Sequence, residues 1–328
     1  MSAPLLEVDG LRKWFPIQRG WFGGTRGAVR AVDGVSFRVG AGETVACVGE
    51  SGSGKSTLGR ALLRLVEPDA GTIRVHGPQS GQVRDVLAQD GAELRKLRRE
   101  LQIVFQDPYA SLNPRMRVVD LVGEGLVIHG LARGGELRDL VLRELERVGL
   151  DATALDRYPH AFSGGQRQRI SIARALALSP RFLVLDEAVS ALDVSVQAQI
   201  LNLLADLRAD LGLAYFFITH DLGIVRHFAQ RVLVLYLGRI VEEASAGELF
   251  AAPKHPYTKA LLSAVPIQRP GETRARIVLE GEPPSPAHPP SGCSFHTRCP
   301  VAVARCVTEE PQLRDTNSGG RVACHLAE

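Results

Sequence analysis

The sequence predicts an α/β fold, because short apolar segments typical of buried strands alternate with segments of helical periodicity. The clearest segment is residues 44–48, which is followed by a glycine-rich loop and then by Leu58, Ala61, Leu62 and Leu65 at helical spacing. Two further apolar segments, residues 181–187 and 213–219, end in polar side chains. At 328 residues the chain is long enough for one large domain and a smaller appendage.

The glycine-rich loop, residues 49–57, reads GESGSGKST and fits the P-loop pattern Gly-x-x-x-x-Gly-Lys-[Ser/Thr]. Its backbone N–H groups, the start of the following helix and a lysine ammonium are suited to bind phosphates. A chance match in one sequence of this length is expected on the order of 1%. The sequence therefore predicts a nucleotide site formed by Gly49, Glu50, Ser51, Gly52, Ser53, Gly54, Lys55, Ser56 and Thr57, with Ser56 as a magnesium ligand.

Composition excludes several classes of protein. The net charge of +3 is too small to indicate nucleic-acid binding, and no long basic block is present. No signal peptide is recognisable at the N-terminus, and no window approaches 18 uncharged apolar residues. We expect a soluble intracellular protein whose work at a membrane would require a partner. In that compartment the five cysteines are expected to be thiols or metal ligands.

The first 40 residues alternate apolar and polar side chains at residues 5–8 and 31–37, which predicts an antiparallel β region. Trp14 and Phe15 lie between these strands and before a glycine-rich loop at residues 19–27. An aromatic ring there could stack on adenine, and packing in the core is the equal alternative.

The middle of the chain predicts short strands at residues 71–75 and 101–106, the second more buried. Helical spacing follows from Val118 to Leu150, with Gly149 as its stop. We predict a helical insertion at about residues 107–178. Within it, Ser163 is a suitable N-cap, and Gly164 and Gly165 expose backbone that a phosphate could approach, although a flexible helix entry would read the same way.

Two carboxylates, Asp186 and Glu187, end the predicted strand at residues 181–187. In a P-loop protein, Asp186 is placed to hold magnesium and Glu187 to orient the attacking water; surface turn residues are the alternative. His220 follows the strand at residues 213–219, at the edge where open α/β sheets bind ligands. There it could donate to the γ-phosphate. The segment Ser190 to Asp193 and a helix from Val194 to Leu211 lie between them.

Together these motifs resemble the ATP-binding subunits of ABC transporters. The P-loop, Gln106, Ser-Gly-Gly-Gln at 163–166, Leu-Asp-Glu at 185–187, Ser-Ala-Leu-Asp at 190–193 and His220 occur once each, in family order. Phe162 replaces the usual leucine, and Ala188-Val189 replaces the usual Pro-Thr. The resemblance implies an α/β P-loop ABC ATPase core with a mixed sheet and an N-terminal antiparallel β region, a helical subdomain, and a small C-terminal extension.

The resemblance also implies residue roles and partners. Phe15 would stack on adenine, with Trp14 as the alternative, and Gln106 would sense magnesium and the attacking water. Ser163, Gly164, Gly165, Gln166 and Asp193 would contact nucleotide held by a second ATPase subunit, either a paralogue or a second copy. Residues 108–112 would touch one of two membrane permeases, although packing within the helical insertion is the alternative. Location at the cytoplasmic face of the inner membrane follows from these partners.

The tail refines the resemblance. His255-Pro256-Tyr257-Thr258, Phe15-Pro16-Ile17 and Glu187-Ala188-Val189-Ser190 are similar to the ATPases of dipeptide and oligopeptide importers, a group that also includes nickel importers. We predict a nucleotide-binding domain at 1–245 and an extension at 246–328 that contains a linker with seven prolines between Pro266 and Pro290. A soluble ABC ATPase is disfavoured, because the chain has no long coiled-coil insertion and no second cassette.

Four cysteines, Cys293, Cys299, Cys306 and Cys324, cluster in the tail. A segment of about forty residues buries little core, so a metal centre would supply folding energy. The spacing lacks the close pairs of most zinc sites, and the family resemblance implies a [4Fe–4S] cluster; zinc, unligated thiols and disulfides are the alternatives. His296 or His325 could replace one ligand. Cys47, in the strand before the P-loop, is expected in the core.

Overall fold

The fold is described from a computed structural model, which covers residues 4–19, 24–77, 81–265, 276–317 and 319–327. The glycine-rich loop at 19–27 and the proline-rich linker therefore lie partly outside the described residues. The chain forms two compact units, one from residues 1–88 and 218–328 and the other from residues 89–217. Each unit is described by itself.

The strands of the described residues are β1 (Leu6–Arg19), β2 (Gly24–Val39), β3 (Thr44–Val48), β4 (Ala70–His76), β5 (Val83–Asp85), β6 (Leu101–Val104), β7 (Phe182–Asp186), β8 (Ala214–Ile218), β9 (Arg231–Tyr236), β10 (Arg239–Ser245), β11 (Arg314–Asp315) and β12 (Arg321–Val322). The α-helices of the same residues are α1 (Lys55–Leu62), α2 (Gly91–Glu100), α3 (Pro108–Ser111), α4 (Val118–Ile128), α5 (Gly134–Arg147), α6 (Gly164–Leu176), α7 (Val194–Leu211), α8 (Leu222–Phe228), α9 (Ala246–Ala251), α10 (Pro256–Ser263) and α11 (Ala304–Thr308).

The first unit begins with the antiparallel sheet that the sequence predicts, in the order β2-β1-β4-β5. Its strands are longer than the alternation indicates: Trp14 pairs with Arg30 and Phe15 with Val29 in the β1–β2 register. The two aromatic residues therefore lie on a strand. The sequence does not reveal this, because bulges interrupt the period-two pattern that marks a strand.

A second sheet of the first unit carries the P-loop. Strand β3 is fully buried, as predicted, and pairs in parallel with β9. The β9–β10 hairpin turns at Leu237 and Gly238, which both have positive φ, the geometry of a tight primed turn. Strands β12 and β11 of the C-terminal extension add to β10. The extension is thus part of the same unit as the P-loop.

The second unit contains the strands β8, β7 and β6 in that order and helices α2 to α7. Strand β7 is wholly buried, while β6 is buried only at its ends. The helical pattern from 118 to 150 forms two helices, α4 and α5. In the first unit, helix α1 ends at Leu62, so the prediction that Leu65 belongs to its amphipathic face is wrong: Leu65 is exposed beyond the helix end.

An aromatic cluster fixes the extension to the first unit. The ring of Phe295 packs against Tyr236, Tyr257 and His255 at centroid distances of 5.2, 5.4 and 5.6 Å. His255 is buried, and its Nδ1 accepts a hydrogen bond from the Tyr257 backbone N–H at 3.0 Å, which caps α10. Burial, and secondly the charge of Lys259, lowers the pKa of His255 to about 3.

This buried imidazole predicts a pH dependence of stability. The unfolded chain protonates His255 near its ordinary pKa of about 6.5, whereas the folded chain resists protonation down to about pH 3. The stabilisation is therefore complete above pH 6.5 and is lost as the pH falls, by about 1.4 kcal/mol per pH unit. We expect His255→Asn, which keeps a cap acceptor, to show a shallower loss of unfolding free energy in urea titrations between pH 6.5 and 4.5. An identical dependence of unfolding free energy on pH in the wild type and in His255→Asn would contradict the assignment of this effect to His255.

Candidate nucleotide-binding and hydrolysis site

The P-loop leaves the end of β3 in a conformation that requires glycine. Gly49 and Gly54 have φ of 156° and 102°, where L side chains are strained. A Cβ at Gly49 would collide with the carbonyl oxygen of Leu235, and one at Gly54 with the carbonyl oxygen of Ala31. The loop is thus held against its neighbours by backbone contacts that only these glycines permit.

Lys55 begins α1 and is buried. Its ammonium donates to the carbonyl oxygens of Gly49 and Glu50 at 2.8 and 2.9 Å, across the loop. Ser56 and Thr57 follow in the first turn, where backbone N–H groups and the helix dipole favour an anion. This arrangement of cation, amides and helix start can bind the phosphates of a nucleotide.

Sequence reasoning missed the partners of Glu50. The hydroxyl of Tyr257 accepts a hydrogen bond from the Glu50 backbone N–H at 2.8 Å. The Glu50 carboxylate accepts from both terminal nitrogens of Arg298, at 2.8 and 3.2 Å. Arg298 lies 248 positions along the chain, so no local pattern could have indicated the contact.

The two candidate aromatic residues differ in their surroundings. The indole Nε1 of Trp14 donates to Asp33 at 3.3 Å, and the guanidinium of Arg30 lies 4.7 Å from the ring centroid. The Phe15 ring is 38% exposed, with the Lys13 ammonium 5.2 Å from its centroid. The more exposed Phe15 ring thus has the face that a base could stack on.

In the second unit Glu187 and Gln106 are brought together. The Gln106 amide nitrogen donates to the Glu187 carboxylate at 2.9 Å. Glu187 itself has a φ of +49°, a left-handed conformation that is rare for residues other than glycine and is concentrated at functional sites. Asp186 directly before it is 2% exposed at the end of β7. Carboxylate and amide oxygens are ligand types that Mg²⁺ prefers, so Asp186 and Gln106 suit a magnesium ion by their chemistry; in the first unit the hydroxyl of Ser56 suits it likewise.

The predicted N-cap at Ser163 is confirmed. Its hydroxyl accepts from the Gln166 N–H, and the Gln166 side chain accepts from the Ser163 N–H, which forms a reciprocal capping box. Gly165 is required because a Cβ there would press on a methyl group of Val196 in α7. Ser163 and Gln166 remain exposed, as does Asp193 at the N-cap position of α7. These exposed groups are suited to contact another molecule.

His220 lies in the first unit, two residues beyond the end of β8, and its side chain is exposed. Its neighbours fix the turn: the Thr219 hydroxyl accepts from the Asp221 N–H at 3.0 Å, and the Asp221 carboxylate caps α8 through the Gly223 N–H at 2.8 Å. The emergence of His220 at a strand's carboxyl end is as predicted.

The segment after Gln106 is the one predicted to touch a membrane permease. Residues 108–111 form the short helix α3, capped by Asp107. Leu112 is 1% exposed, so its prediction as a contact residue for a membrane subunit is wrong: its apolar side chain is already removed from water within this chain. Tyr109 is 64% exposed, and the guanidinium of Arg167 lies 3.8 Å from its ring centroid.

None of the five cysteines, which all lie within the described ranges, forms a disulfide. Cys47 is buried in β3, as predicted. In the tail, burial raises the pKa of the Cys293 and Cys299 thiols, and each is raised further by neighbouring cysteines of the group. The Cys293 N–H donates to the Cys306 carbonyl oxygen at 2.8 Å, which brings the backbones of these two cysteines together. Among the described residues, however, no three His, Cys, Asp or Glu side chains are arranged to hold a metal ion. His296 and His325 each direct a ring nitrogen to a backbone carbonyl oxygen, at 2.9 Å.

The chain matches two family models. Residues 32–190 match the ABC transporter family, and residues 241–306 match the oligopeptide/dipeptide transporter C-terminal region. A probable peptide ABC transporter ATP-binding protein of Sinorhizobium fredii is 51% identical over 99% of this chain and 91% of its own length. The dipeptide transport ATP-binding protein DppF of Haemophilus influenzae is 49% identical over 98% of this chain and 97% of its own.

Solved structures of ABC transporter cassettes agree with this family match. CbiO1 of Clostridium perfringens, part of an ABC transporter complex, superposes with a TM-score of 0.63 at 28% identity, over 76% of this chain and 92% of its own. A dimeric bacterial ABC transporter cassette superposes with a TM-score of 0.62 at 28% identity, over 74% of this chain and 98% of its own. The chain belongs to the ABC transporter family, as an ATP-binding subunit with the P-loop ABC ATPase fold. It is an ATP-hydrolysing enzyme of the branch with the oligopeptide/dipeptide C-terminal region. Within the described ranges no helix is long and apolar enough to span a membrane.

Proposed function

We propose that this chain powers the import of dipeptides and oligopeptides through a membrane-bound ABC importer. The observation that carries the proposal is the oligopeptide/dipeptide C-terminal region at residues 241–306, joined in one chain to an ABC cassette. The names of the relatives from Sinorhizobium fredii and Haemophilus influenzae support peptides as cargo. Import of nickel or another solute by the same ATPase cycle is the alternative.

Uptake by living cells tests this proposal. Cells that carry Glu187→Gln in place of the wild-type chain should lose uptake of a labelled dipeptide or tripeptide while keeping uptake of labelled nickel. Loss of nickel uptake alone would overturn the peptide assignment and leave the ATPase role standing.

In this proposal each site residue has a defined role. Glu187 orients and activates the water, Gln106 positions that water beside it, and His220 donates to the γ-phosphate. Ser56, Gln106 and Asp186 would hold Mg²⁺, which when bound neutralises phosphate charge. Lys55 and the loop amides bind the phosphates, and the Phe15 ring stacks on adenine.

The partners follow from the single copy of each motif. The exposed capping box of Ser163 and Gln166, with Gly164, Gly165 and Asp193, would close over nucleotide held by a second ATPase subunit, either a paralogue or a copy of this chain. Val194, beside Asp193, is 82% exposed, and an apolar side chain this exposed supports a surface that the second subunit covers. Two permeases and, indirectly, a solute-binding protein complete the importer, with this chain at the cytoplasmic face of the inner membrane. Nucleic acid is not a proposed partner.

Tyr109 is the side chain we propose to contact a permease. Tyr109→Ala removes an exposed ring, so we expect peptide transport to fall several-fold while ATP hydrolysis by the purified subunit is retained. Tyr109→Phe, which keeps the ring over which Arg167 stacks, is the matched control and should transport normally. Leu112→Asp is unsuitable as a test, because a buried unpaired carboxylate would destabilise the unit. Coupled transport in Tyr109→Ala would end the proposal.

The four tail cysteines are proposed to hold a [4Fe–4S] cluster, with zinc as the alternative. The support is the backbone contact between Cys293 and Cys306, although among the described residues the side chains do not form a ligand set. Protein purified without oxygen should be brown and contain iron and inorganic sulfide, and Cys299→Ser should be colourless. Colourless wild-type protein with stoichiometric zinc would replace the cluster by zinc, and metal-free protein would remove the site.

A further inference from the structure

The P-loop of this chain has a partner from the far end of the sequence. Arg298 and Glu50 form a two-bond ion pair with Nη–Oε distances of 2.8 and 3.2 Å. The Arg298 side chain is 8% exposed and that of Glu50 28%, so the pair is largely removed from water. A buried ion pair is costly to break, because the remaining charge loses its partner without regaining full hydration.

The position of Glu50 gives this pair a consequence for phosphate binding. Glu50 is the second residue of the P-loop, and its carbonyl oxygen accepts from the Lys55 ammonium at 2.9 Å. Its carboxylate is a negative charge on a loop suited to bind anionic phosphates. Arg298 pairs with that charge, so the loop would present a carboxylate without its cation if Arg298 were absent.

The turn that carries Arg298 is itself held firmly. Cys293 and Cys299 flank it, and the Cys293 N–H donates to the Cys306 carbonyl oxygen at 2.8 Å. The N–H groups of His296 and Arg298 donate to the carbonyl oxygens of Cys293 and Phe295, at 3.0 Å each. Phe295 is buried in the aromatic cluster, where Tyr257 also contacts the Glu50 N–H. The cysteine-containing turn and the P-loop are therefore one packed assembly.

We propose that Arg298 is a positioning residue of the nucleotide site: it neutralises Glu50 and fixes the P-loop, so that the cysteine-containing turn sets the affinity for ATP. This rests on the proposed role of the P-loop in binding phosphates. It assigns to the C-terminal extension a regulatory contact with the ATP site of its own chain. Arg298 acts through Glu50 and takes no part in the chemical step.

The test is a double-mutant cycle on ATP binding. Arg298→Ala should raise the KM for Mg-ATP and the Kd for a fluorescent ATP analogue several-fold, with kcat within two-fold of wild type. Glu50→Gln removes the charge that Arg298 neutralises. Measured against Glu50→Gln alone, the double variant Arg298→Ala, Glu50→Gln should therefore show little of the affinity loss that Arg298→Ala causes in the wild-type background, since no unpaired carboxylate remains. Arg298→Lys keeps a positive charge but not the two-bond geometry, so its KM and Kd should lie between those of the wild type and of Arg298→Ala. The defect of Arg298→Ala should shrink as salt rises.

Controls separate this proposal from general damage to the tail. Arg305→Ala breaks an exposed ion pair between Arg305, on α11, and Glu309, just after that helix, and should leave KM unchanged. Cys299→Ser should raise KM in the same direction as Arg298→Ala and add nothing further in the Arg298→Ala background. An unchanged KM for Mg-ATP in Arg298→Ala would overturn the proposal. So would a double variant, Arg298→Ala with Glu50→Gln, that melts at the wild-type temperature but does not recover affinity for ATP. Absence of any hydrolysis by the wild-type complex would instead overturn the proposed function.

Discussion

Replacement of Glu187 by glutamine is expected to lower ATP hydrolysis by roughly 10²- to 10⁴-fold, the range typical of lost general base catalysis. The amide has nearly the same shape but cannot accept the proton of the attacking water. The new amide can still accept a hydrogen bond from Gln106, whose amide nitrogen donates to the carboxylate at 2.9 Å in the wild-type chain. ATP binding should therefore persist, and ATP-bound dimers should accumulate. Phosphate release, the Kd for ATP and size-exclusion chromatography with ATP measure these three quantities.

The matched control is Glu136→Gln, which alters an exposed glutamate in the first turn of α5 in the same unit. It should hydrolyse ATP at the wild-type rate. Normal turnover in Glu187→Gln would rule out Glu187 as the residue that activates water, whereas loss of both hydrolysis and binding would indicate damage to the fold around β7.

Replacement of Lys55 by alanine should act on a different step. The buried ammonium is held by the carbonyl oxygens of Gly49 and Glu50, so it is already in place when phosphates arrive. Hydrogen bonds to charged groups are worth about 1.5–3 kcal/mol, so we expect ATP affinity to fall roughly ten- to a hundred-fold. Isothermal titration with ATP measures the loss, and Lys96→Ala, which removes an exposed ammonium on α2, is the control. Unchanged ATP affinity in Lys55→Ala would contradict a phosphate role.

Local chemistry made much of this fold predictable. The P-loop fixes a strand before it and a helix after it, and β3 and α1 lie where those rules place them. Helix α7 runs from Val194 to Leu211, the bounds that its periodicity predicts. Ser163 and Gln166 form their capping box because both groups lie within one helical turn. Each of these features depends on residues that are close in sequence.

The features that the sequence could not indicate depend on distant residues. The contact of Arg298 with Glu50 joins positions 248 apart, and an arginine in a tail segment has no pattern that marks its partner. The burial of Leu112 and the exposure of Tyr109 depend on how α3 lies against its unit, which a four-residue helix does not encode by periodicity. The positive φ of Glu187 is likewise invisible, because glutamate rarely adopts it.

The central claim is that ATP hydrolysis by this chain drives the import of peptides. The most direct measurement uses the complete importer, purified from membranes by a tag on this chain and reconstituted in liposomes with ATP in contact with this subunit. Addition of the solute-binding protein with a labelled dipeptide or tripeptide should raise ATP hydrolysis and carry label across the bilayer, and the Glu187→Gln complex should do neither. Hydrolysis that ignores peptide, with no peptide transported by the wild-type complex, would contradict the account.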